Sequence, residues 1–394
     1  MPSSEPGRKT SKAALIAAPL LLVLLTLLLV EIGLRAWFNL FPPMNYNLLP
    51  PDKAGLHLFE PATGNAFYTV KPGYRQKFLR HEFQGDVYTN NIGLREVEDF
   101  HGQAVDIAFI GDSFTFGWGV EAGERYSDIV RESFPELNVL SYSYPNGHAP
   151  VNYLAYLQAH PELLPRVLVL GLFAFNDLAS DTADAVVEEK DGTIISVGSR
   201  SLKVDEGGYI VDQGYTPPTV LSGRWLKRHT AIGRAVNVAM HRLKAGKQAP
   251  AKPDEFKAID RGEWDQTALE ALDHVRRIDA LARAHGSTLL VFYIPFPSFI
   301  SASPVCIYAA DLCAQQAQIN PLGEALAHWA SGEGIHYIDP VGYFRQISAR
   351  GEKLYYPYDG HWTPAGHAAA GRLIVDYLEE RALLDPDRTA VRSR

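Results

Sequence analysis

The chain is poor in cysteine and carries no excess of positive charge. Two cysteines in 394 residues, Cys306 and Cys313, can build neither a disulfide scaffold nor, by themselves, a four-ligand zinc site. Thirty-seven Lys+Arg stand against 45 Asp+Glu, a formal charge of −8, so no global field draws the chain to nucleic acid. No H-E-x-x-H, no Cys/His cluster and no P-loop occurs. Gly117-Trp118-Gly119 lacks the Lys and Ser/Thr of a phosphate loop, so neither a metal nor a nucleotide cofactor is implied. Internal repeats and low-complexity tracts are missing as well. What is left is 46% hydrophobic and 21% charged, the balance of a globular protein held together by its core.

One long apolar run is present. In the 18 residues from Ala13 to Val30 only Pro19 and Thr26 interrupt aliphatic side chains. At roughly 1.5 Å per residue the run reaches about 27 Å, close to the ~30 Å of a bilayer core. It can lengthen through Ile32, Leu34, Trp37 and Phe38, with Glu31 and Arg35 one turn apart and able to pair, until Pro42-Pro43 stops it. Arg8, Lys9 and Lys12 precede it with only Glu5 against them, which leaves the N-terminus in the cytoplasm and exports everything after about residue 40. A cleaved signal peptide has the same layout, but no A-x-A-like site follows and the run is longer than an ordinary h-region. In an oxidising compartment Cys306 and Cys313 can close a small loop; otherwise they are two buried thiols.

Residues 41–102, rich in Pro, Gly and aromatics, read as an irregular lead-in. From there β-like runs alternate with helical patterns. Val105–Ile110 precedes Glu121–Phe134, Leu137–Tyr144 precedes Val151–Leu164, and Arg166–Phe175 precedes a long interruption. The rhythm resumes with a helix at Trp264–His285, a run at Thr288–Pro295, a helix near Leu322–Ser331, a strand at Ile335–Ile338 and a last helix at Pro364–Arg381. Such alternation predicts a parallel sheet covered on both faces. Residues 178–260 read as an insertion over one end of that sheet. They contain a hairpin turning at Asp191-Gly192, a second strand pair turning at Gly207-Gly208, the basic stretch Arg224–Lys247 and an Ala-Pro-Ala-Lys-Pro linker. The basic stretch is either a solvated helix face or a surface for acidic polymer or lipid head groups.

Four short blocks carry chemistry. The apolar strand ending in Gly111-Asp112-Ser113 delivers a hydroxyl to the carboxyl edge of the sheet, where open α/β sheets bind ligands. A serine needs a base, an orienter for that base and donors to the oxyanion. Asp359-Gly360-His361 stands just before the Thr363-Pro364 start of the last helix, so Asp359 can hold one ring nitrogen of His361 and leave the other for Ser113. Asn176, followed by Asp177 at the end of the third strand, offers a side-chain amide. The Tyr144-Pro145-Asn146-Gly147-His148 turn offers backbone N–H groups, from Asn146 or Gly147. Read singly, the same residues are a helix cap, a loop turn and an Asx turn. His148 and His367, near the proposed site, read as turn and helix-surface residues.

The order of the four blocks resembles the SGNH hydrolase superfamily, the GDSL-type lipases and esterases, over about residues 103–383. The resemblance implies a three-layer α/β/α, flavodoxin-like fold. It also implies Ser113 as nucleophile with its own N–H in the oxyanion hole, Asn176 as a second donor, His361 as general base and Asp359 as its orienter. Two departures stand out. Ser141 and Ser143 occupy places where Asn and Gly are usual, and Asp359 and His361 are separated by one residue rather than two. The shorter spacing, with Asn90-x-x-Gly93-x-Arg95, looks like the membrane-tethered branch that contains alginate O-acetylation proteins. The implied protein is therefore an anchored, exported serine esterase acting on acyl, foremost acetyl, esters of a carbohydrate or cell-envelope glycan. An O-acetyltransferase using the same residues is the alternative and would add a membrane-bound acyl-donor partner. A non-catalytic glycan-binding or assembly protein is a reading of another class, disfavoured by the full set of catalytic residue types.

Overall fold

The computed structural model describes residues 12–43, 48–50, 56–61, 68–145, 147–173, 175–216, 219–245, 262–301 and 318–385. Cys306, Cys313, Asn146 and the Ala-Pro-Ala-Lys-Pro linker lie outside these residues. The chain forms two compact units. The smaller takes residues 1–54, 79–81 and 216–249, and the larger takes 55–78, 82–215 and 250–394.

The smaller unit holds the apolar helix Lys12–Leu40 and two helices, Gly223–His229 and Ala231–Ala245. Within the first of these, Ala17–Leu40 is long and apolar enough to cross a membrane, and none of it is buried.

The larger unit is built on a parallel sheet of five strands: β1 (Ile107–Gly111), β2 (Val139–Ser143), β3 (Val167–Phe173), β4 (Thr288–Ile294) and β5 (His336–Ile338). Their spatial order is β5-β4-β3-β1-β2. Near-continuous Val, Ile and Leu runs form these strands because both faces are covered, and β1 is buried at every position. The chain moves one way from β1 to β2 and back across β1 to reach β3. Right-handed crossovers therefore put Tyr126–Ser133 and Pro150–Ala159 on opposite faces. Pro364–Glu380 packs beside Tyr126–Ser133, where Gly371 lets the helices touch: a Cβ there would meet Ile129 at 2.6 Å. Gln266–Ala284 packs beside Pro150–Ala159. The three-layer α/β/α architecture expected from the sequence is present. Because the connections diverge on either side of β1, a crevice opens beyond the carboxyl ends of β1 and β3, where such sheets bind ligands.

Three regions differ from expectation. The lead-in is not wholly irregular, since Phe59–Pro61 pairs with Tyr68–Val70 and Arg75–Leu79 with Gln84–Tyr88. The strands are short and the alternation is hidden among glycines and charges, but Leu58, Phe59, Tyr68, Phe78 and Val87 share a small aromatic core with Phe116 and Trp118. The hairpin Ala185–Lys190/Thr193–Ser199, turning at Asp191 and Gly192 with φ of 52° and 81°, lies on the helical layer rather than over the sheet end. Gln158 donates to Gly192 O, and Arg277 pairs with Glu189 at 2.9 Å. A helix at Val341–Ala349 follows β5 where no element was expected. Its nine residues include Val, Ile, Tyr and Phe, which leave helix and strand undecided at so short a length.

Candidate active site

Gly111 and Gly171 face each other across β1 and β3. A Cβ on Gly111 would meet Thr115 Oγ1 at 2.2 Å and Gly171 O at 2.8 Å, and one on Gly171 would meet Thr115 Oγ1 at 2.6 Å. The two glycines thus open the sheet end for Thr115, whose hydroxyl is 2.8 Å from that of Tyr126. That seats the single helical turn Ser113–Phe116. Asp112 caps the turn through Oδ1, which accepts the Phe114 N–H at 3.0 Å, and Gly117 closes it at φ 77°. Ser113 is left half-buried at the crevice.

The Asn90-x-x-Gly93-x-Arg95 motif supports this turn from below. Asn90 Oδ1 accepts the N–H of Ile92 and Leu94, and Gly93, at φ 82°, sits where a Cβ would strike Val70 O at 2.3 Å. Buried Arg95 donates to the carbonyls of Phe116 and Gly117, each at 2.6 Å, and of Val120 at 2.7 Å. Burial and the neighbouring Arg125 bring the Arg95 guanidinium down to about 9. Arg125 is itself neutralised by Glu96 and Asp128.

His361 arrives from the loop before the last helix. Its Nε2 is 2.7 Å from Ser113 Oγ and its Nδ1 is 2.6 Å from Asp359 Oδ1, so three side chains drawn from positions up to 248 residues apart form one chain of hydrogen bonds. Gly360, at φ 87°, permits the reversal between them. Trp362 is fully buried against Phe114, Tyr126 and Phe344 and pins the loop to the core. Thr363 caps the helix that follows by accepting the Gly366 N–H. Burial pushes the Asp359 carboxyl up. The hydrogen bond and charge of His361 and the Trp118 indole outweigh it, so the group is held below the ordinary carboxylate value.

Two residues outside the four blocks support Asp359. Trp118 Nε1 donates to its Oδ2 at 3.4 Å. Glu82, in the lead-in, accepts the Tyr358 N–H at 3.1 Å and the Asp359 N–H at 2.7 Å. Gly117-Trp118-Gly119, which fails as a phosphate loop, serves here instead. No sequence signal points to Glu82, because its partners are more than 270 residues away.

Asn176 begins a π-helical turn, Asn176–Ser180, at the end of β3. Its Oδ1 accepts the Asp177 N–H and its Nδ2 donates to Asp181 Oδ2 at 3.0 Å. The amide is thus bonded within an acidic group, with Asp112, the residue preceding Ser113, close by. Burial raises Asp112 and Asp181 to about 6 each, and it raises Asp177, which accepts from Tyr153 and the Phe173 N–H, well above the ordinary range. Gly147, at φ 69°, lies in the loop after β2, at the same sheet end, where Tyr144 N–H donates to Gly111 O. Ser141 and Ser143 are hydrogen-bonded to one another inside β2, and Glu96 takes the Ser141 N–H. His367 is not a surface residue. It is fully buried, stacks on Tyr126, accepts its N–H, and is held neutral, at about 3, by burial and by Arg95 and Arg125. His148 is buried too, between Tyr68 and Tyr144. Among the described residues no cluster of His, Cys, Asp and Glu is arranged to hold a metal ion.

The family model described as GDSL-like lipase/acylhydrolase matches residues 109–369, about two thirds of the chain. No curated protein sequence matches. Among solved structures, a lipolytic protein of the G-D-S-L family from Veillonella parvula is 11% identical at a TM-score of 0.35, covering 69% of this chain and 97% of its own. A lipase/acylhydrolase from Enterococcus faecalis is 11% identical at 0.34, covering 70% and 96%. A carbohydrate acetylesterase family member from Sinorhizobium meliloti is 12% identical at 0.33, covering 71% and 99%. With the family model spanning the sheet from β1 to the last helix, the chain belongs to the GDSL-like lipase/acylhydrolase family and is an enzyme of the serine hydrolase class.

Proposed function

We propose that this protein is a membrane-anchored serine esterase that removes acyl groups, acetyl foremost, from a carbohydrate or cell-envelope glycan outside the cytoplasm. The reading rests on one observation, the hydrogen-bond chain from Ser113 through His361 to Asp359. Ser113 Oγ attacks the ester carbonyl carbon as its proton passes to His361 Nε2, and Asp359 steadies the imidazolium that forms. The carbonyl oxygen becomes an oxyanion, met by the Ser113 N–H and by Gly147 or Asn146 N–H after β2. Its charge competes with Asp181 for an Asn176 N–H. Collapse expels the alcohol, which takes the proton back from His361. Water, deprotonated by the same nitrogen, then cleaves the acyl-enzyme and frees Ser113. No step calls on a cofactor.

The anchor is the apolar helix, entered from a basic N-terminal tip containing Arg8, Lys9 and Lys12, which favours a cytoplasmic N-terminus. Ser113→Ala is expected to abolish aryl-acetate hydrolysis without unfolding the protein. Undiminished turnover would refute the assignment. Supplying oligosaccharide acceptors in the same assay separates hydrolysis, which yields only free acetate, from transfer, which yields acetylated sugar.

A further inference from the structure

A charged pair interrupts the apolar helix of the smaller unit, and the structure gives it a task. Glu31 accepts the N–H groups of Ala231 at 2.8 Å and Ile232 at 3.0 Å, the first two of the helix Ala231–Ala245. Arg35 donates to Glu31 at 2.6 Å and to the carbonyl of His229, the last residue of Gly223–His229, at 2.6 Å. A carboxylate therefore sits on the positive end of one helix and a guanidinium on the negative end of the other. Gly233 lets the helices close on each other, since a Cβ there would meet Leu226 O at 2.3 Å. The pair of helices is clamped to the apolar helix at a defined height. Ala13–Val30 alone spans about 27 Å of a ~30 Å core, so Glu31 falls at its edge, where charge is tolerated.

Beyond the clamp, the helix Ala231–Ala245 keeps an apolar stripe uncovered. Val236, Met240 and Leu243 recur at i, i+4 and i+7, hence on one face, and are 53%, 49% and 78% exposed. Val220, Leu221 and Leu226 are exposed as well. Residues 216–249 carry 7 Lys+Arg and no Asp or Glu, in a chain of net charge −8. Arg224 and Lys227 lie exposed, one turn apart. An amphipathic, wholly basic helix fixed at the rim of a membrane span has the chemistry of an interfacial helix.

We propose that Gly223–His229 and Ala231–Ala245 lie in the headgroup layer of the membrane crossed by Lys12–Leu40. Val236, Met240 and Leu243 then enter the acyl boundary, and the exposed Arg224 and Lys227 meet anionic phospholipid. This rests on the anchored reading above. The occupant is lipid rather than protein because the face is continuous with a membrane span and its charge is complementary to phosphatidylglycerol.

The test uses the full chain with Met240 or Leu243 replaced by p-benzoylphenylalanine, in vesicles of phosphatidylethanolamine and phosphatidylglycerol. Both sites are exposed, so folding is spared. Irradiation is expected to add the mass of one phospholipid to the peptide bearing either position, with a severalfold lower yield in pure phosphatidylcholine. Absence of a lipid adduct at both sites, or an adduct to a second copy of the chain instead, in protein that resists carbonate extraction overturns the proposal alone. Equal yields in the two lipids overturn the anionic headgroup. Release by carbonate overturns the anchor itself, and the proposal with it.

Discussion

Replacing Glu82 tests whether the lead-in takes part in the chemistry. Its carboxylate receives two backbone N–H groups of the loop that carries Asp359 and His361, at 2.7–3.1 Å. A bond to a charged acceptor contributes about 1.5–3 kcal/mol when buried, and this half-buried site retains a fraction of that. Two bonds at about 1 kcal/mol each give about 2 kcal/mol for Glu82→Ala. If that loss appears as misplacement of Asp359, it is roughly thirtyfold in kcat/KM, at 1.36 kcal/mol per tenfold. Glu82→Gln keeps a carbonyl acceptor and loses only the charge, so a loss of about fivefold or less is expected. The assay is aryl-acetate hydrolysis at fixed pH, with circular dichroism to register any unfolding. The Gln variant decides the matter if Ala proves unstable. Activity within twofold of wild type in a folded Ala variant would refute the argument and leave the loop held by Gly360 and Trp362 alone.

Three further predictions concern the frame of the site. Gly171→Ala drives a Cβ to 2.6 Å from Thr115 Oγ1 and 2.8 Å from Tyr126 Oη, so overpacking should cost about 1–3 kcal/mol, read as a lower Tm. Arg95→Ala strips buried donors from three carbonyls and should cost at least about 3 kcal/mol in urea unfolding, with Arg95→Lys recovering only part because an ammonium cannot span the same fork. His367 has a folded value of about 3 against about 6.5 unfolded, so acid protonates the unfolded chain first. Stability present above pH 6.5 is therefore lost as pH falls toward 3. Asp112 and Asp181, raised to about 6, act oppositely: their contribution is present below pH ~4 and lost as pH rises through 6. His367→Gln should flatten the acid limb of Tm against pH, and an unchanged limb would contradict the assignment.

The sheet was legible because a fully buried strand needs an unbroken apolar run and its crossover helix needs a cap. The apolar run stands in β1 and in β3, and the cap at Asp112 and at Thr363-Pro364. The Ser113–His361–Asp359 alignment was legible only through the order of the blocks, since no local rule brings position 113 to position 361. What escaped the reading is either nonlocal or marked weakly. Glu82 holds a loop that local pattern never associates with it. Arg95 acts through carbonyls, which every residue has. His367 looks like a solvent residue in its helix until Tyr126 and Trp362 close over it. Asn176 stands at the end of β3, but its bond to Asp181 comes from a π-helical turn for which the sequence has no distinctive spacing.

The central claim is that His361 makes Ser113 a nucleophile, and covalent labelling tests it most directly. A fluorophosphonate forms a phosphonyl ester only with a serine whose proton a neighbouring base removes. Peptide mapping of the labelled protein should find the adduct on Ser113, and His361→Ala should lose it while remaining folded. Labelling of a different residue, or undiminished labelling of Ser113 without His361, would contradict the account.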